Sequence, residues 1–281
     1  MAGPQKWTEE LIAQRVKDGR GQGVGVRYLP WLYVQEFSSK GTQTRIPGAK
    51  VRRTVHTFSY LERALFLYLE FQENFLGFDE QWPMDRGVTL GAASTLRIRH
   101  PRYPKTAIPV VMTLDGVAHM RDEDGQVRLA GWDVKPARQL LKKRVAEKLS
   151  LHKAFCAHVG MPHYVFTENS VSRNVIRNID WIRMSQPKAG EVESVAGLFT
   201  SHPLEMLEQL TACRTRPAIT HFCAQYDAAN YLERGTGLRI IKFLLWHRRV
   251  EVNLEAKWIE REPIPRPLST TRAAAPSRKA A

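Results

Sequence analysis

The sequence predicts an α/β protein built on a mixed sheet flanked by helices, followed by a smaller, winged-helix-like domain. Three observations predict it. From residue 59 the hydrophobic periodicity runs helix, strand, short helix, β-hairpin, long helix, strand, which supplies a sheet and the helices that cover it. The hairpin carries its own marker, the Asp-Gly step of RDEDG at 121–125. Past about residue 169 the pattern changes to short helices and a strand pair. At 281 residues the chain can bury one large core or two small ones.

Thr8 is placed to cap a first helix, TEELIAQRVKDG, which stops at Gly19. GRGQGVG (19–25) has glycine at every second position but lacks the preceding strand and the spacing of a dinucleotide loop. It reads either as a flexible connector or as a mobile arm that lays backbone N–H groups and Arg20 on phosphate. PWLYVQEF (30–37) reads as a strand, and RIPGAKVRRTVHTFS (45–59) as a basic β-turn region. SYLERALFLYLEF (59–71) is a helix with Ser59 as its N-cap. FLGFDEQWPM (75–84) is strand-like, and TLGAASTLRIRH (89–100) is a short helix that Pro101 ends. IPVVMTLDGVAHM (108–120) and GQVRLAGWDVKPA (125–137) are the hairpin strands. ARQLLKKRVAEKLSLHKAFCAHVG (137–160) reads as one long helix closed by Gly160, and PHYVFTE (162–168) as a last strand.

These elements make a first domain over residues 1–168. Residues 169–262 follow as a second, with SHPLEMLEQLTAC, HFCAQYDAANYLER and LRIIKFLLWHRR as helices and VEVNLEAKWIER (250–261) as a strand pair. Three helices and a small β element are the make-up of a winged helix, a DNA- or partner-docking module. Residues 263–281 carry prolines, small residues and bases without an acid, and read as a disordered basic tail.

Lys+Arg number 42 against 28 Asp+Glu, a net charge of +14 that favours a polyanion partner such as double-stranded DNA. Cys156, Cys213 and Cys223 form neither a CxxC pair nor a zinc spacing, which argues against a disulfide framework and structural zinc and for a reducing, cytoplasmic setting. No signal-peptide core stands at the N-terminus, and the longest apolar run, IIKFLLW, is far short of a membrane span.

The chemistry centres on GWDVKPA (131–137). On a strand, Asp133 and Lys135 share one face. Counting outward from the middle of RDEDG sets Asp115 opposite residue 131, one same-face position from Asp133, and such diagonals lie within roughly 7–8 Å. Asp115 stands in an apolar strand, so its carboxylate needs a metal, a cation or hydrogen bonds. One reading is an Asp115–Lys135 salt bridge inside the hairpin, and the other is a metal site. Glu62 weighs toward the second. Its helical neighbours are Leu65, Phe66 and Leu69, so it emerges beside the apolar stripe and not from the face of Arg63 and Glu70. Three carboxylates beside a lysine suit Mg²⁺ or Mn²⁺, one or two per site, with Lys135 orienting water or steadying phosphorane charge. The histidines, His56 and His100 among them, show no metal spacing and read as structural or DNA-contacting. The basic stretch RQLLKKRVAEK, with Lys142, Lys143 and Arg144, is placed to line a DNA path.

E…D…(D/E)xK is the constellation of restriction-endonuclease-like nucleases. More closely, the chain resembles the TnsA family, the endonuclease subunits of heteromeric bacterial transposases. RGQGVGVRYLPWLYVQE, SYLERALFLYLEF, EQWP, RIRHP, MTLDGVA and WDVKPA carry the resemblance, in order, over about residues 12–182. It implies a restriction-endonuclease-like first domain with Glu62, Asp115, Asp133 and Lys135 as catalytic residues. It also implies Glu62, Asp115, Asp133 and the Val134 main-chain carbonyl as metal ligands. Some relatives carry glutamine where this chain has Asp133, which adds a negative charge here. The resemblance further implies 5′-end cleavage of transposon DNA beside a TnsB-like transposase and a TnsC-like AAA+ ATPase. Two other readings of the residues stand beside it, a stand-alone restriction or repair endonuclease and a non-enzymatic winged-helix regulator.

Overall fold

The computed structural model describes residues 7–36, 42–188 and 190–267. The chain divides into two compact units, Met1–Val171 and Ser172–Ala281.

In the first unit, α1 (Glu9–Lys17) starts where the Thr8 hydroxyl accepts the Leu11 N–H at 3.2 Å. β1 (Thr44–Pro47) and β2 (Thr54–Thr57) form an antiparallel hairpin ahead of α2 (Tyr60–Glu70). β3 (Phe75–Pro83), α3 (Arg86–Thr95), β4 (Thr113–Arg121) and β5 (Val127–Val134) follow, then α4 (Ala137–Leu140), α5 (Lys143–His158) and β6 (His163–Phe166). The sheet order is β3-β4-β5-β6, with β5 and β6 parallel and the other pairs antiparallel. The expected mixed sheet flanked by helices is therefore the architecture of this unit, and it fits a restriction-endonuclease-like fold.

Two glycines let the helices approach the sheet. Gly116 and Gly131 stand on opposite faces, because Gly116 pairs with Trp132 and side chains alternate. A Cβ on Gly116 would come within 2.0 Å of the Phe78 ring, which packs on Phe66 of α2 at 5.5 Å between centroids. A Cβ on Gly131 would press on Cys156, Leu114 and Met161 under α5. On that α5 face Leu114, Val117, Leu151 and Phe155 form one buried cluster with Met84 and Ala93. Full burial of such side chains stabilises by roughly 1.5–3 kcal/mol each. β2 is tied to β3 by Arg53, which donates to both carboxylate oxygens of buried Glu80 at 2.8 and 2.6 Å.

In the first unit the structure departs from the expected elements in several ways. Residues 30–36 are not a strand. Glu36 accepts the Tyr33 N–H and bonds to Arg15 and Arg20, which winds Val34–Glu36 into a 3-10 turn. The short helix starts at Arg86, earlier than expected, and the left-handed Arg97 (φ 55) follows its end at Thr95. The long helix is broken, because Lys142 is extended (φ −82, ψ 121) and caps α5 with its carbonyl while Leu141 projects into solvent. The hairpin register differs by two, since the turn closes between Asp122 and Gln126 with Gly125 at φ +79. Asp115 thus stands level with Asp133 and not with Gly131. Glu70, expected on the solvated face of α2, is buried and accepts the Lys50 N–H at 2.9 Å.

The second unit holds α6 (Arg173–Arg183), α7 (Ser201–Ala212), α8 (Ile219–Ala229) and α9 (Thr236–Trp246). Asp227 of α8 accepts the Gly235 and Gly237 N–H groups, capping α9. Gly237 allows close helix approach, because a Cβ there would meet the Cys223 carbonyl at 2.7 Å. The strand pair expected within 250–261 is instead β7 (Val250–Glu251) with β8 (Arg266–Pro267), so residues 263–267 belong to the fold and not to a tail. The rest of the expected tail, 268–281, lies outside the described residues. Among the described residues no helix is long and apolar enough to cross a membrane.

Candidate active site

Asp115 stands one residue before Gly116, the first β4 residue that pairs with β5, and its carboxylate takes the place of a ladder acceptor. Oδ2 takes the Val134 N–H at 2.6 Å and the Lys135 ammonium at 2.8 Å. The same ammonium donates to the Val134 carbonyl at 2.8 Å. The salt bridge read from the sequence therefore exists, and the question is whether it serves only the hairpin.

Glu62 answers part of that. It is the third residue of α2 and closes a capping box: its N–H bonds to Ser59 Oγ, and its carboxylate accepts from Ser59 Oγ and the Phe58 N–H. A capping glutamate is ordinarily a solvated one. Here burial pushes the carboxyl up to about 7, and the Asp115 charge adds to the effect. For Lys135, burial alone would lower the ammonium, but Asp115, Asp133 and Glu62 outweigh it and hold it above its ordinary value. One lysine thus stands in the field of all three acids.

Asp133 is differently placed. Its side chain is 0% exposed, on the α5 face with Gly131, and Oδ2 accepts from His152 Nδ1 and His163 Nε2, each at 2.7 Å. Burial opposes its charge, yet these hydrogen bonds prevail and hold the carboxyl well below the usual range. Oδ1 is buried and has no hydrogen-bond partner among the described residues. The site grades outward from there, with Asp115 16% and Lys135 30% exposed.

A family model described as TnsA-like endonuclease N terminal matches residues 71–168, and one described as TnsA endonuclease C terminal matches residues 170–254. The chain is also 33% identical over 248 residues to the Transposon Tn7 transposition protein TnsA of Escherichia coli, covering 88% of this chain and 87% of that protein. The chain belongs to the TnsA endonuclease family.

Within this TnsA-family chain, Asp115, Asp133 and Lys135 fall inside the segment matched by the N-terminal model, and Glu62 lies upstream of it. The basic residues expected to meet DNA divide in two. Lys142 and Lys143 are exposed at the break before α5, while Arg144, also exposed, bonds to Glu147 at 2.8 Å. Arg20 is committed inside the protein. It bonds to Glu36 at 2.7 Å and lies over the Tyr33 ring at 4.0 Å, so the glycine-rich segment is a folded turn around it and not a mobile arm.

The sequence does not foretell that His152 and His163 meet Asp133. His152 stands among Leu151, Phe155 and Cys156 of the buried helix face, and a polar residue in that stripe was the available signal. His163 joins it only through the parallel β5–β6 pairing, which sets His163 beside Gly131.

Proposed function

We propose that this TnsA-family endonuclease hydrolyses phosphodiester bonds at the 5′ ends of a transposon, using Mg²⁺ or Mn²⁺, one or two ions per site. In this reading it acts beside a TnsB-like transposase and under a TnsC-like AAA+ ATPase. The observation that carries the reading is the Lys135–Asp115 ion pair at 2.8 Å, placed where the charges of Asp133 and Glu62 also act on the ammonium. Relatedness to a transposition protein supports transposon ends as the substrate over a stand-alone restriction role.

The donor set fits a hard divalent ion. The Asp115 charge opposes ionisation of the buried Glu62 carboxyl, a conflict that a cation relieves. Asp133 adds a buried oxygen that has no hydrogen-bond partner among the described residues. Glu62, Asp115, Asp133 and the Val134 carbonyl would hold the ion. The chemistry such an ion supplies is a polarised phosphate and a more acidic water. The chain's own groups do the rest. Lys135, kept protonated by its neighbours, steadies negative charge on the phosphorane or orients the attacking water. Asp115 fixes Lys135 and the Val134 N–H together, so the lysine is aimed before substrate arrives. Lys142 and Lys143 guide the DNA backbone. The second unit, with the winged-helix-like role expected of it, docks DNA and the regulator.

The experiment is strand-specific cleavage of transposon-end DNA with the reconstituted partners, scoring both strands in one reaction. Glu62→Gln, which keeps the capping box, is expected to lose 5′-strand cutting while 3′-strand cutting by the partner persists. Undiminished 5′ cutting by that variant contradicts the reading.

A further inference from the structure

An ionised carboxylate with no solvent exposure is strongly disfavoured unless the protein supplies donors. At Asp133 two imidazoles supply them, and both bind the same oxygen. His152 donates from α5 and His163 from β6, each at 2.7 Å from Oδ2. Because the carboxylate oxygen can only accept, the ring hydrogens are fixed on His152 Nδ1 and His163 Nε2. The rings meet at 73° with centroids 6.4 Å apart, so the carboxylate is gripped from two directions. Side-chain exposures of 10% and 6% leave the histidines little freedom. The other oxygen, Oδ1, is buried and has no partner among the described residues, although an unmet carboxylate oxygen is costly to keep.

We propose that His152 and His163 are positioning residues that clamp Asp133 through Oδ2 and reserve Oδ1 for the divalent ion of the nuclease site. This rests on the metal-dependent reading above. Groups that hydrogen-bond a metal ligand in this way orient it and are ordinarily worth 10- to 100-fold in metal affinity. The three side chains also form a potential ligand set of their own, with ligand atoms within 4.8 Å of one another. Their spacing argues against an ion among them. Ligands about 2.0–2.1 Å from a tetrahedral zinc stand roughly 3.3 Å apart, whereas the separations from Oδ2 are 2.7 Å, the length of a charge-assisted hydrogen bond.

The test is Mn²⁺ binding to the full-length protein without DNA, read by the electron paramagnetic resonance of free Mn²⁺. His152→Leu and His163→Leu remove the donors at similar volume, and His152→Asn and His163→Gln keep an N–H in reach. The leucine variants are expected to weaken Mn²⁺ by about 10- to 100-fold, and the amide variants to recover most of that loss. Asp115→Asn serves as the control for the nuclease site itself and is expected to weaken Mn²⁺ on its own. Leucine variants that bind as wild type while Asp115→Asn does not would overturn the clamp and spare the nuclease site. An Asp115→Asn protein with unchanged affinity would overturn the site. A Zn²⁺ ion bound by Asp115→Asn, and lost from both His163 variants, would make the cluster a separate metal site and end the clamp. If the leucine variants do not fold, nitrogen NMR of the wild type decides. The clamp requires the His152 Nδ1–H and His163 Nε2–H forms to persist when Mg²⁺ is added, and exchange of either tautomer contradicts it.

Discussion

The Lys135 ammonium lies 2.8 Å from Asp115 Oδ2, and Asp115 takes the Val134 N–H with the same oxygen. The pair therefore closes the end of the hairpin and arms the site at once. Replacing Lys135 by alanine leaves Asp115 its Val134 hydrogen bond and a partly open position, so the fold survives. The expected result is a 10²- to 10³-fold loss of 5′-strand cutting, about the effect of removing one charge-stabilising donor. The melting temperature should move by only a few degrees, about what a loss near 1 kcal/mol produces. Normal cutting by that variant removes Lys135 from the mechanism.

Glu62 makes stability fall with pH. Its folded pKa of about 7 exceeds the ordinary value of 4.5, so between these the folded state holds a proton that the unfolded chain has released. Stability from this group is full below pH 4.5, declines as pH rises and is gone above 7. A shift of that size corresponds to about 3 kcal/mol. Asp133 acts with the opposite sign and below this window, where its stabilising charge is lost as pH falls under the ordinary carboxylate range. Denaturant titration in EDTA at pH 5 and pH 8 should show the wild type weaker at pH 8 and Glu62→Gln with a flatter profile. Equal slopes would mean that Glu62 titrates as a free carboxylate.

Gly116→Ala tests how tightly the sheet carries the site. The new methyl would sit 2.0 Å from Phe78, beside Asp115, and overpacking of this kind costs about 1–3 kcal/mol. Phe78→Leu in the same chain should recover part of the stability by opening that space. A Gly116→Ala protein as stable as wild type would show that α2 and the sheet can part without cost.

Lys142 and Lys143 are predicted to touch phosphate. Removing one such contact changes the slope of log affinity against log salt by roughly 0.9. Lys143→Ala, measured by DNA retardation across a salt series, should reduce the slope by that step and leave Arg144, bonded to Glu147, as it was. An unchanged slope places the DNA path elsewhere.

What the sequence made legible was local. Ser59 is readable as the N-cap of α2, and Asp115, Asp133 and Lys135 follow from a hairpin whose turn is written in Asp-Gly. The register slipped by two because Gly125, at φ +79, centres the turn on Asp124. Residues 30–36 misled for a related reason. Trp31 and Val34 are buried three apart, the period of a turn, and the decisive partners of Glu36 lie on α1 and the glycine-rich segment. The two histidines bonded to Asp133 come from a helix and a strand brought together only by the parallel pairing of β5 with β6, which no short stretch encodes. The break at Lys142 was hidden because the basic run around it carries helix formers on both sides.

The most direct measurement is 5′-strand cleavage of transposon-end DNA by Asp115→Asn in the reconstituted system with Mg²⁺, with DNA association followed in parallel. Asparagine retains an acceptor for the Val134 N–H but not the charge shared with Lys135 and Glu62. DNA association without 5′ cutting is the predicted result. Cutting at the wild-type rate would return Asp115 and Lys135 to an ordinary salt bridge in a hairpin.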